Sequence, residues 1–457
     1  MLHPGKRSIR DVYDMGKVFL GEGGFGSVSK GVHKVTKVTR AIKHLPKKST
    51  TAATFTHELT ICTKLDHPHI VKLYEAFEDP RTYYMVMELC SGGELFDVII
   101  ELQSFSEMQA SIVMEQALRG INYMHGQLIS HRDLKPENFL LEKPCGIDEA
   151  TIKIVDFGIA KSFKKGVPMT EGVGTPFYVS PQVLRSKYSE ACDNWSLGVL
   201  LYIMLCGYPP FSAAAEADIL KKISRGEFSF PSAEWRDVSN AAKKLIKRLL
   251  TYDEAKRMTA AEALQDQWIQ KRTVTATSGP LHDTHLASLR SFRGHNRLKK
   301  AALHAIARRM NEEDIKQLRD TFKMLDKNSD GVVTFSEVKA GIDQTSGNPE
   351  IVAEIETMMK DVDVNENMSL DYTEFIAATL SNRVFQEETA LWEAFAAFDQ
   401  DGSGSISKAE LAEVLKSTEI QQAMGSSLDS VMKEVDRNLD GQISFDEFVA
   451  MMNKPSS

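Results

Sequence analysis

The glycine-rich segment Gly21–Val28 (GEGGFGSV) has the residue types to approach phosphate oxygens closely, because glycine carries no Cβ to obstruct the backbone. Dinucleotide-binding folds use a similar glycine spacing, but a helix follows at once there and an acidic residue comes about 20 residues later. Here a β-like run, Val28–Val38, follows, and a second run ends in Ala-Ile-Lys at Lys43. This order indicates a loop folded over ATP phosphates. Lys43 would pair with the α- and β-phosphates, and Glu58, in a predicted helix over 57–65, would hold the lysine.

Two further motifs carry acidic and amide side chains in the first half of the chain. His131–Asn138 reads HRDLKPEN, and a DFG sequence begins at Asp156, 23 residues after Asp133. Taken in order with the glycine-rich segment, Lys43, Glu58, GTPFYVSPQ from Gly174 and DNWSLGV from Asp193, these motifs resemble the eukaryotic protein kinase family over residues 13–269. LKPEN together with GTPFY is typical of serine/threonine kinases rather than tyrosine kinases.

The resemblance implies a role for each of these side chains. Asp133 would accept the proton of a substrate hydroxyl group, and Asn138 and Asp156 would hold Mg²⁺ on the phosphates. Lys135 would stabilise the transferring γ-phosphoryl group, and Thr175 belongs to the same catalytic set. The residues that would surround the nucleotide are Leu20, Gly21, Glu22, Gly23, Gly24, Phe25, Gly26 and Val28 in the loop, Ala41 and Leu140 on either side of adenine, Met87 as gatekeeper, and Glu88 to Cys90 as hinge.

Two positions depart from the family pattern. Where the family has a glutamate that pairs with a buried arginine, this chain has Gln182, and Arg257 stands at the position of the arginine. We expect a weaker tie and a less stable C-terminal lobe rather than lost catalysis. Where the family carries an activating phosphothreonine, this chain has Glu171, whose carboxylate is a permanent counter-charge for Arg132. We therefore expect that activation-loop phosphorylation is not needed.

The family resemblance also predicts part of the substrate preference. Glu94 and Glu137 match the acids that contact an arginine three residues before the acceptor in basophilic kinases, whereas a third acid is replaced by Ile203. The predicted substrates are protein segments of the form R-x-x-S/T, with little demand for a second arginine. Arg272 and Thr275 fit that pattern, which makes Thr275 a candidate autophosphorylation site.

The second half repeats a 12-residue acidic loop four times. The loops span Asp326–Glu337, Asp363–Glu374, Asp399–Glu410 and Asp436–Glu447, and their starts are 37, 36 and 37 residues apart. Each has oxygen-bearing side chains at positions 1, 3 and 5, an apolar residue at position 8 and Glu at position 12, which is the EF-hand pattern for Ca²⁺. One such loop could be an ordinary acidic loop, but four in register could not.

Each loop supplies Ca²⁺ ligands from side chains at positions 1, 3, 5 and 12 and from the backbone carbonyl at position 7. The predicted ligands are Asp326, Asn328, Asp330, Val332 and Glu337 in loop 1; Asp363, Asn365, Asn367, Ser369 and Glu374 in loop 2; Asp399, Asp401, Ser403, Ser405 and Glu410 in loop 3; Asp436, Asn438, Asp440, Gln442 and Glu447 in loop 4. In loop 2, Met368 replaces the glycine of position 6, at a cost of roughly 1 kcal/mol. We expect up to four bound Ca²⁺ ions, with the second site weaker.

A basic segment, Leu286–Met310, joins the two halves and holds seven Lys and Arg but no Asp or Glu. On a helical wheel its basic and apolar residues separate onto two sides, except that Lys299 falls among the apolar residues. Such a helix is typical of membrane-surface segments and calmodulin targets, although a solvated helix packed on its own domain would have the same pattern. The charges of the two halves favour a binding partner within the chain. Residues 311–457 hold 30 acidic against 12 basic residues, a net charge of −18, and the remainder of the chain carries +10.

The whole chain therefore resembles the calcium-dependent protein kinases of plants and protists. The predicted architecture is a short N-terminal extension (1–12), a bilobal α+β protein kinase fold (13–269), a linker and autoinhibitory junction helix (270–310), and an all-α calmodulin-like domain of four EF-hands (311–457). Without Ca²⁺ the junction would block the substrate cleft, its arginines meeting Glu94 and Glu137, and with Ca²⁺ the EF-hands would claim it. An inactive kinase half that serves as a Ca²⁺-switched scaffold, and EF-hands that only buffer Ca²⁺, are the alternatives. Separate binding of calmodulin at the junction would be redundant.

The totals agree with this prediction. The 457 residues contain 42% hydrophobic and 26% charged side chains, as ordinary globular proteins do, and no run of apolar residues is long enough to span a membrane. The N-terminus has neither a signal peptide nor a myristoylation site, although a natural extension could precede it. Five scattered cysteines suggest a reducing compartment. We expect a cytoplasmic monomer with no membrane anchor in this chain and no nucleic-acid partner.

Overall fold

A computed structural model describes residues 2–3, 7–23, 26–213, 215–270, 297–310, 315–343, 369–380, 388–417 and 428–454. The N-terminal lobe is a six-stranded sheet in the order β1-β5-β6-β4-β3-β2, with two helices. Its elements are β1 Leu2–His3, α1 Ile9–Val12, β2 Tyr13–Gly23, β3 Gly26–His33, β4 Thr39–Pro46, α2 Ala52–Lys64, β5 Leu73–Glu78 and β6 Thr82–Met87. Thr51 caps α2 by accepting a hydrogen bond from the N–H of Thr54, which fixes where the helix starts.

The C-terminal lobe is mainly helical and is built around α5, most of whose residues are buried. Such a helix, apolar all round, belongs in the centre of a domain. The helices are α3 Leu95–Leu102, α4 Glu107–Gly126, α5 Ala191–Cys206, α6 Glu216–Arg225, α7 Ser232–Trp235, α8 Asn240–Leu249, α9 Ala260–Leu264 and α10 Gln267–Gln270. The short strands β7 Ile129–Ser130, β8 Phe139–Leu141, β9 Ile152–Ile154 and β10 Lys161–Ser162 pair as β7 with β10 and β8 with β9, and they carry the loops of the cleft.

The second half consists of helices joined by acidic loops. The helices are α11 Arg297–Arg309, α12 Lys316–Leu325, α13 Phe335–Asp343, α14 Tyr372–Thr379, α15 Glu388–Phe398, α16 Lys408–Ser417, α17 Leu428–Val435 and α18 Phe445–Met452. Two-stranded ribbons couple the loops in pairs, β11 Val333–Thr334 with β12 Ser369–Leu370, and β13 Ser405–Ser407 with β14 Gln442–Ser444. The predicted order, a bilobal α+β fold followed by a helical EF-hand region, is confirmed. No helix among the described residues has the length and apolar character needed to cross a bilayer.

The helix α11 belongs to the core of the second half. Leu298, Ala302, Leu303, Ile306 and Ala307 are buried in one hydrophobic cluster with residues of α14, α15 and α18. The predicted apolar side of the basic segment is thus covered by the EF-hand helices. Residues 286–296 of that segment lie outside the described residues.

The second half also contacts the kinase half at several places. Near the sheet, the Arg40 guanidinium donates to the carbonyl of Arg309 over 3.1 Å and lies 3.7 Å from the Glu393 carboxylate. Next to the end of β8, Arg319 Nη1 on α12 lies 3.2 Å from Glu142 Oε2. These ion pairs are well buried, so they align the two halves and cannot be treated as ordinary surface pairs.

Candidate active site and calcium loops

Three predicted side chains meet at the back of the cleft between the lobes. Lys43 Nζ on β4 lies 2.7 Å from Glu58 Oε1 on α2 and 2.9 Å from Asp156 Oδ1. Burial alone would lower the pKa of Lys43, but the two carboxylates raise it above its ordinary value. Burial acts to raise the pKa of Asp156, and Lys43 lowers it below its usual range. Each shift favours the charged form of its group, as phosphate and Mg²⁺ binding would require of Lys43 and Asp156.

The loop after β7 brings the predicted catalytic set together. Thr175 Oγ1 donates to Asp133 Oδ1 over 2.7 Å, and Lys135 Nζ lies 3.1 Å from Asp133 Oδ2 and 3.3 Å from Thr175 Oγ1. Asn138 Nδ2 donates to the Asp133 carbonyl over 2.7 Å, which leaves its side-chain oxygen available as a ligand. The donor set of one amide oxygen and one carboxylate, from Asn138 and Asp156, suits Mg²⁺, a hard cation that prefers oxygen ligands.

Asp193 positions this catalytic loop, and the sequence analysis assigned it no role. Its carboxylate is fully buried and accepts hydrogen bonds from the N–H groups of His131 and Arg132, at 2.9 and 2.8 Å, and from Ser130 Oγ at 2.9 Å. Arg132 has φ of +71°, a strained value for a non-glycine residue. The charge-assisted hydrogen bonds to the Asp193 carboxylate offset the free-energy cost of that strain. The DNWSLGV motif contained the signal, because an aspartate opens an otherwise apolar helix.

The predicted nucleotide residues line the hinge side of the cleft. Val28 lies opposite Lys43 across β3 and β4, and Ala41 lies opposite Met87 across β4 and β6. Leu140 on β8 stands on the other side of this pocket, bridged to Glu94. The remaining predicted residues lie in the β2–β3 hairpin, where Leu20, Gly21, Glu22, Gly23 and Gly26 are placed, and Gly24 and Phe25 lie outside the described residues.

Gly26 and Glu88 are constrained by their neighbours. Gly26 has φ of +149°, and a Cβ there would lie 2.0 Å from the carbonyl oxygen of His44, so no other residue fits. In the hinge, the Glu88 carboxylate lies 2.8 Å from the fully buried Lys153 ammonium. Burial raises the pKa of the nearby Cys90 thiol, which favours the less reactive protonated form.

The predicted substrate acids lie together in front of the catalytic loop. Burial raises the pKa of Glu94, and the neighbouring carboxylates of Asp97 and Glu137 raise it further. Glu137 Oε2 is buried and has no hydrogen-bond partner among the described residues. Beside them a cavity of about 520 Å³ is lined by apolar side chains, Ile203 among them. The region is therefore acidic at one point and apolar next to it.

The predicted pair of Arg132 and Glu171 is present, with Nη1 3.2 Å from Oε2. Lys161 contacts the other carboxylate oxygen of Glu171, and the hydroxyl of Tyr188 donates to the Glu171 carbonyl over 2.8 Å. The hydrogen bond from Lys161 lowers the pKa of Glu171 to about 2. Lys161 was missed because one lysine on the surface carries no distinguishing mark in a sequence.

The second departure from the family pattern also forms the predicted contact. Arg257 Nη2 donates to Gln182 Oε1 over 2.7 Å, and Gln182 Nε2 donates to the Tyr252 carbonyl over 2.6 Å. Arg257 is buried, and burial lowers its pKa to about 10. A neutral amide thus satisfies the hydrogen bond of the arginine but not its charge.

The calcium loops fold into the shape that an EF-hand ligand set requires. In loop 1, Asp326 accepts the N–H groups of Asp330 and Gly331, both at 3.1 Å, and Glu337 accepts that of Thr334 at 2.9 Å. Loop 3 repeats these bonds with Asp399 and Glu410. In loop 4 Asp436 accepts the N–H groups of Leu439 and Gly441, and Glu447 accepts that of Ser444. In loop 3, oxygens of Asp399, Asp401 and Glu410 lie within 4.8 Å of one another. Clustered carboxylate oxygens of this kind fit a hard divalent cation.

Loop 2 is described only in part. Ser369 and Glu374 are placed, and Glu374 closes a capping box with Asp371 at the start of α14. The predicted ligands Asp363, Asn365 and Asn367, and Met368, lie outside the described residues, as do Arg272 and Thr275. The predicted weakness of the second site therefore stays a prediction.

The basic helix has a different environment from the one that its charge suggested. Lys299 is buried, and its Nζ donates to the carbonyl of Lys454 over 2.8 Å, just beyond the C-terminus of α18. A cation is stabilised at that end of a helix, which explains a lysine on the apolar side. Arg309 lies 3.7 Å from Glu75 and donates to the carbonyl of Glu393. The described arginine contacts are thus with the sheet and with α15, and not with Glu94 or Glu137.

Comparison with known proteins gives matches to both halves. The family model for the protein kinase domain matches residues 15–269, and that for an EF-hand domain pair matches residues 315–380 and again 388–453. Calcium-dependent protein kinase 5 of Plasmodium falciparum (isolate 3D7) is 40% identical over 448 residues, which cover 97% of this chain and 78% of that relative. Calcium-dependent protein kinase 9 of Oryza sativa subsp. japonica is 38% identical over 455 residues, which cover 98% of this chain and 78% of that relative.

Proposed function

Because the chain belongs to the calcium-dependent protein kinases, and so is a serine/threonine protein kinase with EF-hands, we propose that it phosphorylates R-x-x-S/T segments and is held inactive by its junction helix without Ca²⁺. The observation that carries the proposal is the assembled cleft, in which Lys43, Glu58 and Asp156 lie within 3 Å of their partners beside Asp133. An inactive scaffold has no need of these charges in this order.

Each side chain has one task in the proposed transfer. Asp133 accepts the proton of the substrate hydroxyl and orients its oxygen, while Thr175 and Lys135 hold the Asp133 carboxylate in place. Lys43 binds the α- and β-phosphate oxygens, and Glu58 keeps its ammonium aimed at them. Asn138 and Asp156 are the residues that would hold Mg²⁺, which supplies positive charge for the leaving phosphates. Catalysis rests on position and charge, because phosphoryl transfer asks little covalent chemistry of the protein.

The substrate preference rests on the acids in front of the catalytic loop. The unpartnered, buried Oε2 of Glu137 and the pKa of Glu94, raised although Lys135 acts to lower it, describe a place that a further cation would stabilise. A guanidinium group would satisfy both, since it donates from several N–H groups in one plane. Ile203, buried beside the 520 Å³ apolar cavity, offers nothing to a second arginine.

The arrangement of α11 supports the proposed relief of inhibition. Its apolar side is covered by the EF-hand helices and its last arginine is engaged by Glu75 and Glu393. The substrate acids are consequently free of the described part of the junction. We assign this arrangement to the state in which the EF-hands have claimed the helix, and the inhibited state to one in which they have released it.

The proposed switch needs no activation-loop phosphorylation. Glu171 already gives Arg132 a carboxylate at 3.2 Å, and Lys161 anchors that carboxylate from the other side. An unphosphorylated preparation should be fully active at saturating Ca²⁺ and Mg-ATP, and an inert one would contradict this point. Up to four Ca²⁺ ions, autophosphorylation at Thr275, a monomeric state and a cytoplasmic location remain proposals that rest on the sequence alone.

The central experiment is phosphorylation of an R-x-x-S peptide as a function of free Ca²⁺. We expect a steep rise with Ca²⁺ and no signal from Asp133→Asn at any Ca²⁺ concentration. The same peptide with lysine or alanine in place of arginine should be a much poorer substrate. Activity that does not respond to Ca²⁺ would instead favour EF-hands that only buffer the ion.

A truncation separates two forms of the regulatory proposal. Deleting residues 286–457 should give activity that is independent of Ca²⁺ if the junction simply occludes the cleft. An inactive truncated kinase would contradict simple occlusion and would indicate that contacts with the second half, such as those of Arg40 with Arg309 and Glu393, support the kinase half.

A further inference from the structure

The tips of the calcium loops have unequal surroundings. In loop 1, positions 4 to 6 are Ser329, Asp330 and Gly331, and Ser329 is only 4% exposed. The corresponding residue of loop 4, Leu439, is 78% exposed. Both have the left-handed backbone that position 4 requires, with φ of +56° and +62°. The two loops are alike in conformation and differ in what covers them.

The cover over loop 1 is helix α4 of the kinase half. Asn122 Nδ2 donates to the Ser329 carbonyl over 2.5 Å, across 207 residues of sequence. A Cβ built on Gly331 would lie 2.4 Å from the ring of Tyr123, so the backbone of the loop rests directly on that ring. The glycines at the same position in loops 3 and 4, Gly404 and Gly441, have nothing within 4 Å of such a Cβ.

Charge determines how this contact responds to Ca²⁺. Docking the tip on α4 withdraws Asp330, a predicted ligand, partly from water, whereas its counterpart Asp440 is exposed. Burying carboxylates is costly unless a cation compensates them. Arg119 of α4 compensates part of the charge of Asp326. Ca²⁺ in the loop would add to that compensation and would hold the tip in one conformation, so a filled loop docks more readily than an empty one.

We infer that helix α4 is a docking site for the Ca²⁺-filled first EF-hand loop, read through Asn122 and Tyr123, so that Ca²⁺ affinity at loop 1 and docking on the kinase strengthen each other. Loop 4 binds Ca²⁺ independently of the kinase. Such coupling is reciprocal, since each event changes the equilibrium of the other by the same factor. The inference rests on the proposed Ca²⁺ switch and assigns the first loop the task of sensing the kinase surface.

The test uses a matched pair of substitutions in the full chain. Ser329→Leu places in loop 1 the residue that loop 4 has at the same position, without a change of charge, and Leu439→Ser is the reverse change. Calorimetric titration with Ca²⁺ should show one site weakened roughly fivefold or more in Ser329→Leu, and a titration of Leu439→Ser that matches the wild type. Asn122→Ala, which leaves the loop chemistry untouched, should weaken the same site.

The outcomes are distinct. Identical titrations for the wild type, Ser329→Leu and Asn122→Ala would overturn the inference. So would equal weakening by Ser329→Leu and Leu439→Ser, because the effect would then lie within the loops. The readout is Ca²⁺ binding and not activity, so it remains valid even if the peptide assay refutes the proposed kinase function. In the active enzyme, Ser329→Leu and Asn122→Ala should also raise the Ca²⁺ concentration for half-maximal activity.

Discussion

Asp156 of the catalytic cleft and Asp326 of the first calcium loop are held in opposite ways. Asp156 faces the ammonium of Lys43 at 2.9 Å, and its pKa is lowered although burial acts to raise it. Asp326 of loop 1 receives only backbone N–H groups in its own loop, and burial raises its pKa to about 7. In the cleft the ammonium of Lys43 is in direct contact with the carboxylate, whereas Arg119 of α4 lowers the pKa of Asp326 by less than burial raises it.

This difference separates the cleft, whose cation comes from the chain, from the calcium loops, whose cation comes from solution. Lys43 compensates part of the negative charge of Glu58 and Asp156 as soon as the kinase half folds. The loops gather carboxylates that their own residues leave uncompensated, which costs free energy until a cation arrives. Four predictions test this comparison, in order of decreasing effect.

Lys43→Met removes the built-in cation and should make the cleft resemble an unfilled loop. Glu58 and Asp156 would face each other's charge without compensation, and kcat should fall on the order of 10³-fold. Steady-state kinetics on the R-x-x-S peptide measures this loss. Lys48→Met, an exposed lysine five residues later, is the matched control and should leave kcat unchanged. Comparable losses in the two variants would break the comparison.

Asp401→Lys makes the opposite change, since it gives loop 3 a cation of its own. An ammonium group in place of a carboxylate ligand should weaken Ca²⁺ binding at that loop by about 100-fold or more. Calorimetry should then count one fewer Ca²⁺ per chain. Glu413→Lys carries the same change of charge on the exposed side of α16 and should retain the full stoichiometry.

His304 extends the comparison from acids to a base. Burial on α11 lowers the pKa of this imidazole from an ordinary 6.5 to about 4, and its Nε2 has no hydrogen-bond partner among the described residues. Between these values the unfolded chain binds a proton that the folded chain does not, so stability falls as the pH drops from 6.5 toward 4. The loss should be roughly 2 kcal/mol.

Thermal unfolding at pH 7.5 and pH 5 measures this dependence. His304→Leu should unfold with a smaller difference between the two pH values than the wild type does. An unchanged difference would mean that the acids of the loops, and not this imidazole, dominate the acid response.

Gln182→Glu would add to the C-terminal lobe the kind of charged pair that the cleft already has. Arg257 would then donate to a carboxylate, at the expense of the hydrogen bond from Gln182 Nε2 to the Tyr252 carbonyl. The expected gain is about 1 kcal/mol, seen in calorimetry as a higher melting temperature of the kinase half with unchanged kcat. A lower melting temperature would show that the Tyr252 contact matters more than the charge.

Much of the cleft was predictable, because its residues occur in a fixed order and their partners follow from that order. Lys43 with Glu58, Arg132 with Glu171 and Gln182 with Arg257 are all in contact as expected. The bilobal fold and the EF-hand repeats follow for the same reason, since each repeat carries its own pattern.

The contacts between the two halves were not predictable. Asn122 and Ser329 are 207 residues apart, and Asp66, which accepts the N–H of Thr373 over 2.8 Å, is 307 residues from it. Ordinary residue types at such separations leave no periodic or compositional trace. Lys299 is the instructive case, since its place on the apolar side of α11 looked like an imperfection and depends on the carbonyl of Lys454 at the far end of the chain.

The permanent carboxylate of Glu171 bears on how long the kinase would stay active after a signal. A phosphate on this loop would have to be added by one enzyme and removed by another, and the kinase would stay active between those events. Glu171 is always present, and its contact with Lys161 lowers its pKa to about 2. If the proposed switch needs no activating phosphate, activity would last only as long as Ca²⁺ stays bound, and the protein would follow each calcium transient without a memory of the previous one.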